Sequence, residues 1–340
     1  MSEQLSRGGA NGNRKPSATI YDIARELELS PSTVSRALNK PGRIAAKTER
    51  RIRDAAAKLG YRGNPMARSL PTGRTRMLGL VVSDVTNPVF FRLVRGAEKA
   101  CSELGYTLVL AESQESGELE YGTLDRLLPA VDGVVLAAAR LEDDQIHQIA
   151  ASTDVVLINR RVGELSAIVP DIDDGVAQAI DHLATLGHTS IAYLAGPAIS
   201  WMSRERGERV FEHAVARGMI FVEIGPTSPD LVGGQSALRR VHASGMSAVL
   251  AYNDLMAIGL LRACRAEGID VPGDLSIMGF DDIFGADLTT PALTTVRSPL
   301  DRAGDAAVRS LVATLDGIEP AAADPLPTEI VVRESTAAPH

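Results

Sequence analysis

Arg36, with Ser32 and Thr33 one turn before it, is the first group in this 340-residue chain whose types and spacing suit a specific chemistry. A guanidinium presents five N–H donors in a planar fork, and a hydroxyl both donates and accepts. Set along one short helix, such groups match the donor and acceptor pattern that base edges show in the major groove of DNA. The stretch Thr19 to Lys40, TIYDIARELELSPSTVSRALNK, supplies the elements that would position them. Thr19 can cap a first helix, with Asp22 three residues on in a capping-box arrangement. Ile20, Ile23, Ala24 and Leu27 then share one face, and Leu27 and Leu29 bracket a turn. Ser30 is a good N-cap for a second helix, and Pro31 stands where a first helical residue tolerates proline. Val34 and Leu38 point inward from it. An ordinary surface helical hairpin would carry the same pattern, so the remainder of the chain has to decide between the two.

After Pro41-Gly42 come Arg43 and Ile44, then a third helix from about Ala46 to Leu59. Ile52, Ala55, Ala56 and Leu59 form its inner face, and Arg50, Arg51, Arg53 and Lys58 lie mostly outside. Arg14 to Arg76 holds fifteen Lys or Arg and five Asp or Glu, a balance of +10, although the whole chain is −8. Met1 to Asn13 is neutral, so the rest of the chain carries −18. A basic head on an acidic body points to a polyanionic partner for the head, with the body repelling that partner. The Gly/Ser/Asn/Arg-rich Met1 to Ser17 reads as a disordered tail.

From Met77 the period changes. LGLVVSD is a continuous apolar run, as expected of a parallel strand buried on both faces. Asn87-Pro88 leads into a helix over Phe91 to Leu104, and YTLVLAES is the next strand. Further strands read at Gly133–Ala137, Val155–Asn159, Ser190–Gly196, Ala248–Tyr252, Leu275–Phe280 and Glu329–Arg333, with helices between. The alternation argues an α/β body of two doubly wound parallel sheets in tandem. Cys101 and Cys264 read as free, buried thiols, and no Cys/His spacing matches a metal site. The N-terminus lacks the apolar run of a signal peptide, and no segment is long and apolar enough to span a membrane. A cytoplasmic protein with no membrane partner is expected.

The segment TIYDIARELELSPSTVSRALNKPGRIAAKTERRIRDAAAKLGYRGNPMARSL resembles the N-terminal domain of the lactose-repressor (LacI/GalR) family of bacterial transcription regulators. The resemblance continues with few gaps to about Ser335. It implies a tail (1–17), a helix-turn-helix DNA-binding domain (18–62), a hinge and linker (63–76) and an effector-binding, dimerising core (77–340). That core would be periplasmic-binding-protein-like, its two lobes joined by crossings near Asp173, Asp287–Pro299 and Ala313–Pro320. The residues implied to contact operator DNA are Thr19, Tyr21, Ser30, Ser32, Thr33, Arg36, Asn39 and Arg43, with Asn64, Arg68 and Leu70 in the hinge segment NPMARSL. In relatives a leucine at the Leu70 position wedges the minor groove, where partial unstacking is offset by the extra contacts of a bent duplex. This chain departs from the pattern at Ala45, where relatives cap the third helix with Ser, and at Pro71, which would stop the hinge helix after Leu70. No Leu-heptad tail follows the last strand, so the resemblance implies a homodimer, whose two heads would read a pseudo-palindrome.

In such a core a small-molecule effector lies between the lobes, at the carboxyl ends of the strands. The residues carried over are Asp84, Phe90, Asn159, Trp201, Arg206, Asn253 and Asp281. Phe90 could equally pack in the core, Asn159 could serve its loop, and Arg206 could pair on a helix face. Asn253 and Asp281 could be a helix cap and a crossover turn, while Asp254 reads as the cap of the helix after it. A ligand-responsive regulator, a repressor in sense, is the function implied, with a sugar-like or nucleoside-like effector. A solute-binding protein of a transport system would share the core but not the basic head. An enzyme is disfavoured: no GxGxxG loop, catalytic triad or cofactor motif appears, and His182 and His188 read as structural.

Overall fold

The structure, a computed structural model, describes residues 18–39, 42–61, 74–320 and 325–339. The chain divides into two units, Met1–Thr75 and Arg76–His340. In the first, α1 (Ile20–Leu27), α2 (Pro31–Asn39) and α3 (Ala46–Lys58) close around Ile23, Val34, Ala37, Ile52, Ala55 and Ala56. Leu38, expected to point inward, only flanks this cluster, and Ala37 is the buried residue of that turn. Thr19 and Asp22 form the capping box, the Thr19 backbone N–H donating to Asp22 Oδ2 at 2.9 Å. Ser30 Oγ accepts from the Thr33 backbone N–H at the start of α2. Ala45 gives α3 no side-chain cap, as its lack of a hydroxyl requires. The tail, Lys40, Pro41, Arg62 and the hinge segment with Asn64, Arg68, Leu70 and Pro71 lie outside the described residues, as does the Asn39 side chain.

The second unit holds two sheets. The first runs β2–β1–β3–β4–β5, from Thr107–Glu112, Met77–Val82, Gly133–Ala137, Asp154–Ile158 and Ala167–Ile168, all parallel. The second runs β11–β10–β9–β8–β6–β7, from Glu329–Val331, Thr294–Arg297, Ser276–Asp281, Ala248–Ala251, Ser190–Leu194 and Ile220–Ile224. It is parallel except at its edge, where β11 pairs antiparallel with β10. The sequence reading passed over β5, β7 and β10. Two of these, β5 and β10, are only two and four residues long, and β7 (Ile220–Ile224) is an edge strand whose side chains stay partly in water. None of the three gives the long apolar run that marks a central strand.

Helices α4 (Val89–Leu104) and α11 (Leu300–Leu315) pack on one face of the first sheet and against each other. Their backbones meet at glycines. A Cβ on Gly96 would fall 1.9 Å from the Asp301 carbonyl oxygen, and one on Gly304 2.2 Å from that of Leu93. The remaining helices are α5 (Gly117–Leu127), α6 (Asp143–Ala150), α7 (Asp173–Thr185), α8 (Trp201–Ala216), α9 (Leu231–Ser244) and α10 (Asp254–Glu267). The chain crosses between lobes from β5 to α7, again at Ser298-Pro299 between β10 and α11, and last on the way to β11. That last crossing comes later than Pro320, because Leu326 still packs in the first lobe's core. There Asp171 and Pro327 bridge two of the crossings side by side.

Candidate nucleic-acid interface and ligand cleft

On the head, the outer side of α2 is polar. Ser32 and Arg36 are exposed and Thr33 half-buried, while Val34 and Ala37 on the opposite side are sealed in the core. Ser30 Oγ lies 2.9 Å from Ser32 Oγ and 2.8 Å from Thr33 Oγ1, so one cap fixes three hydroxyls at the helix start. Tyr21, at 68% exposure, and Arg43 are also open to solvent. Thr19 is committed to the cap of α1, where both its backbone N–H and its hydroxyl meet Asp22.

In the body, the strand ends of the two sheets face one another across a narrow cleft. The first lobe contributes Ser83, Asn87, Phe90, Glu115, Arg140 and Asn159, and the second Met202, Arg206, Pro229, Tyr252, Asn253 and Asp281. Five of the seven expected residues, Phe90, Asn159, Arg206, Asn253 and Asp281, thus come together. Asp84 does not join them: its carboxylate turns back to accept from the Thr86 backbone N–H (2.7 Å) and hydroxyl (2.6 Å), leaving Ser83 and Asn87 on the wall. Trp201 opens α8 on the other side and lines a separate hollow with Arg161, Pro170 and Asp173.

Arg206 is the most constrained side chain in the cleft. It projects from α8, is 4% exposed, and donates to the Tyr252 carbonyl at 2.5 Å and to Asp281 Oδ1 at 2.6 Å. Its guanidinium lies 3.7 Å above the centre of the Phe280 ring. Burial works against its charge, yet Asp281 and the surrounding groups raise its pKa, so it stays a cation. Its Nε is buried without a hydrogen-bond partner.

Asn253, and not Asp254, takes the helix cap, the alternative the sequence left open for it. Asn253 caps α10, its Oδ1 accepting from the Met256 backbone N–H at 2.9 Å while its Nδ2 donates to the Pro229 carbonyl at 2.8 Å. Asp254 is fully buried and accepts from Thr295 Oγ1 (2.6 Å) and the Ile283 backbone N–H (2.8 Å). Burial pushes its pKa well above the usual carboxylate range. A buried acid beneath the strand ends carries the crossover turn that presents Asp281. Two consecutive polar residues after a strand cannot be told apart by pattern alone, which is why the cap was misassigned.

Ala138, Asn159 and Asp281, each following or ending a strand at the cleft, all have positive φ (57°, 58° and 102°). Non-glycine residues rarely adopt this backbone, and where they do, binding sites are over-represented. Sequence reasoning missed Ser83, Asn87, Glu115, Arg140 and Tyr252. Extending the strand-end rule to β2 and β3 would have found Glu115 and Arg140, and Tyr252 directly precedes the motif at Asn253. A larger hollow of about 970 Å³ lies along α4 and α11 and is lined by none of the cleft residues named above. Volume alone therefore does not mark the site.

Among the described residues no group of His, Cys, Asp and Glu is arranged to hold a metal, and no helix is long and apolar enough to cross a membrane. Both cysteines are buried and unpaired with each other.

Residues 19–64 match the model described as bacterial regulatory proteins, lacI family, and residues 180–336 match a periplasmic binding protein-like domain. The chain is 31% identical over 330 residues to the HTH-type transcriptional regulator DegA of Bacillus subtilis (strain 168), covering 94% of this chain and 98% of that one. It is 32% identical to the ribose operon repressor of Halalkalibacterium halodurans, covering 94% and 97% respectively. Its fold matches the lac repressor dimer bound to operator and the anti-inducer ONPF with a TM-score of 0.86 at 25% identity, over 95% of this chain and all of that one.

Proposed function

The chain belongs to the lacI family of bacterial regulatory proteins, and from that premise we propose how its own residues carry the regulation. It is a transcriptional regulator, a repressor in sense, that binds operator DNA as a dimer and answers to a small molecule. Ser32, Thr33 and Arg36 read base edges. Thr19, Tyr21, Ser30, Asn39 and Arg43 complete the contact with the duplex, and Asn64, Arg68 and Leu70 carry the hinge into the minor groove. Phe90, Asn159, Arg206, Asn253 and Asp281, joined by Arg140 and Tyr252, bind the effector. In this reading it works in the cytoplasm, where its DNA is, as a binding protein and not an enzyme.

The observation that carries this reading is the cleft. It joins buried polar groups from both lobes, and between them it leaves a cavity of only about 30 Å³. That is room for roughly one water molecule, whereas ligand pockets run to several hundred Å³. A sugar-sized molecule therefore enters only if the lobes part, so occupancy and lobe closure are linked. Operator affinity follows if DNA binding favours one closure state over the other. A small molecule that raises the melting temperature of the full chain should also change its affinity for operator DNA by fivefold or more, as a coupling of about 1–3 kcal/mol requires. Strong thermal stabilisation with no change in DNA affinity would contradict the linkage.

A further inference from the structure

The head joins the body at one peptide bond, between Thr75 and Arg76, where the chain divides into its two units. Arg76 is held on both sides as it enters the first sheet. Its backbone N–H donates to Asp132 Oδ2 at 2.9 Å. Its carbonyl accepts from the Thr107 backbone N–H at 2.9 Å, and the Asp132 backbone N–H donates to the Met77 carbonyl at 2.8 Å. Thr107 opens β2 and half-buried Asp132 directly precedes β3, and these two strands flank β1. The Arg76 guanidinium lies 5.0 Å from the centre of the Tyr106 ring, which belongs to the first lobe's core. Arg76 itself has φ 57°. Non-glycine residues rarely adopt this left-handed backbone, and it persists only where the surroundings over-determine it. Here both neighbouring strands and an aromatic ring fix the residue, and with it the direction of the chain.

We propose that Asp132 is a positioning residue for operator binding. By holding the Arg76 N–H, its carboxylate sets the direction in which the head leaves the body, and so selects the spacing of operator half-sites. The proposal rests on the reading of the chain as a dimeric regulator given above. The clamp is dispensable for β1 alone, whose ladders to β2 and β3 run from Met77 and Leu78 onward without Arg76. What it adds is a fixed direction at the residue that carries the head. On that reading Leu70 sits in the minor groove, and only Pro71 to Thr75 separate it from Arg76, so the direction carries through a short connection. In a dimer with both exits fixed, the second head meets its half-site at a high effective concentration, provided the distance matches. Moving a half-site by two base pairs shifts it by about 7 Å and turns it by about 70° around the duplex. A fixed exit cannot follow that displacement, and a loosened one can.

The test measures binding of the full-length protein to the operator recovered by selection on random duplex DNA. Versions of that operator with the centre lengthened or shortened by one and two base pairs are compared with it. Wild type should prefer one spacing by about tenfold or more. Asp132→Ala releases the Arg76 N–H and should shrink that preference to about threefold or less, with binding to random DNA unchanged. Asp132→Asn keeps an acceptor for the N–H and should restore the preference. A role confined to folding would instead lower the melting temperature and weaken every spacing alike, leaving the preference intact. If Asp132→Ala does not fold, Arg76→Pro removes the same hydrogen bond from the other side, and the same loss is expected. An intact preference in the folded variant would overturn the proposal. So would a wild type that binds every spacing equally, or an Asp132→Asn protein as tolerant as the alanine variant. Those results leave the regulator reading standing, whereas a wild type that selects no operator removes that reading itself.

Discussion

On the proposed reading, single side chains carry the recognition chemistry in each unit, in opposite environments. Arg36 is exposed and, on that reading, its partner is on DNA, whereas Arg206 is buried and already holds Asp281 and Tyr252. Arg36→Ala should therefore leave the fold intact and cost about 1–3 kcal/mol of discrimination between operator and random DNA. Competition binding checks this, and equal losses on both DNAs would assign Arg36 to phosphate instead. Arg206→Lys keeps the charge but loses the planar fork, so one ammonium cannot serve both the Tyr252 carbonyl and Asp281. Thermal melting should fall, and any ligand-induced stabilisation should be lost. These two arginines were legible in the sequence because each sits at a fixed distance from a motif. Glu115 and Arg140 were not, because their pairing at 2.7 Å depends on β2 and β3 bringing two distant loops together. The misplaced Asp84 has a local cause: the Thr two residues on captures its carboxylate.

At the scale of elements, helix contacts and terminal straps decide what holds the cleft in place. The α4–α11 contact depends on backbones approaching at Gly96 and Gly304, with no room for a Cβ. Gly304→Ala should destabilise the core by about 1–3 kcal/mol or more, as overpacking does. Denaturant unfolding checks it, and an unchanged midpoint would contradict the close approach. The C-terminal segment is tied to the second lobe through His188. Its Nδ1 lies 2.8 Å from Ser247 Oγ, and its Nε2 lies 2.9 Å from the Ala337 carbonyl and 3.1 Å from Ser276 Oγ. Burial lowers the His188 pKa below its ordinary 6.5; the Ala337 carbonyl opposes that shift, and neighbouring His182 adds to it. The fold thus favours the neutral ring, and an unfolded chain binds the proton more readily. The stability it contributes is complete above pH 6.5 and declines as pH falls through the folded-state value. The melting-temperature difference between wild type and His188→Gln should therefore shrink from pH 7.5 to pH 5.5. A difference independent of pH would remove the ring's titration from the account. The sequence marked His182 and His188 as structural, but not their partners, which lie more than fifty residues away.

For the whole molecule, the charge split and the two-unit division follow the same boundary. The unit ending at Thr75 carries the excess of basic residues, and the unit from Arg76 carries the acidic excess. Fold class was legible because long apolar runs alternate with amphipathic helices. The antiparallel edge strand was not, since nothing in Glu329–Val331 itself states its direction. The central claim is that one chain reads DNA with its head and a small molecule with its body. In vitro selection of the purified full-length protein on random duplex DNA at moderate salt tests it most directly. The account predicts enrichment of a pseudo-palindrome, one half-site for each head of the dimer. Recovery of no common sequence, with and without a panel of sugars and nucleosides, would contradict it.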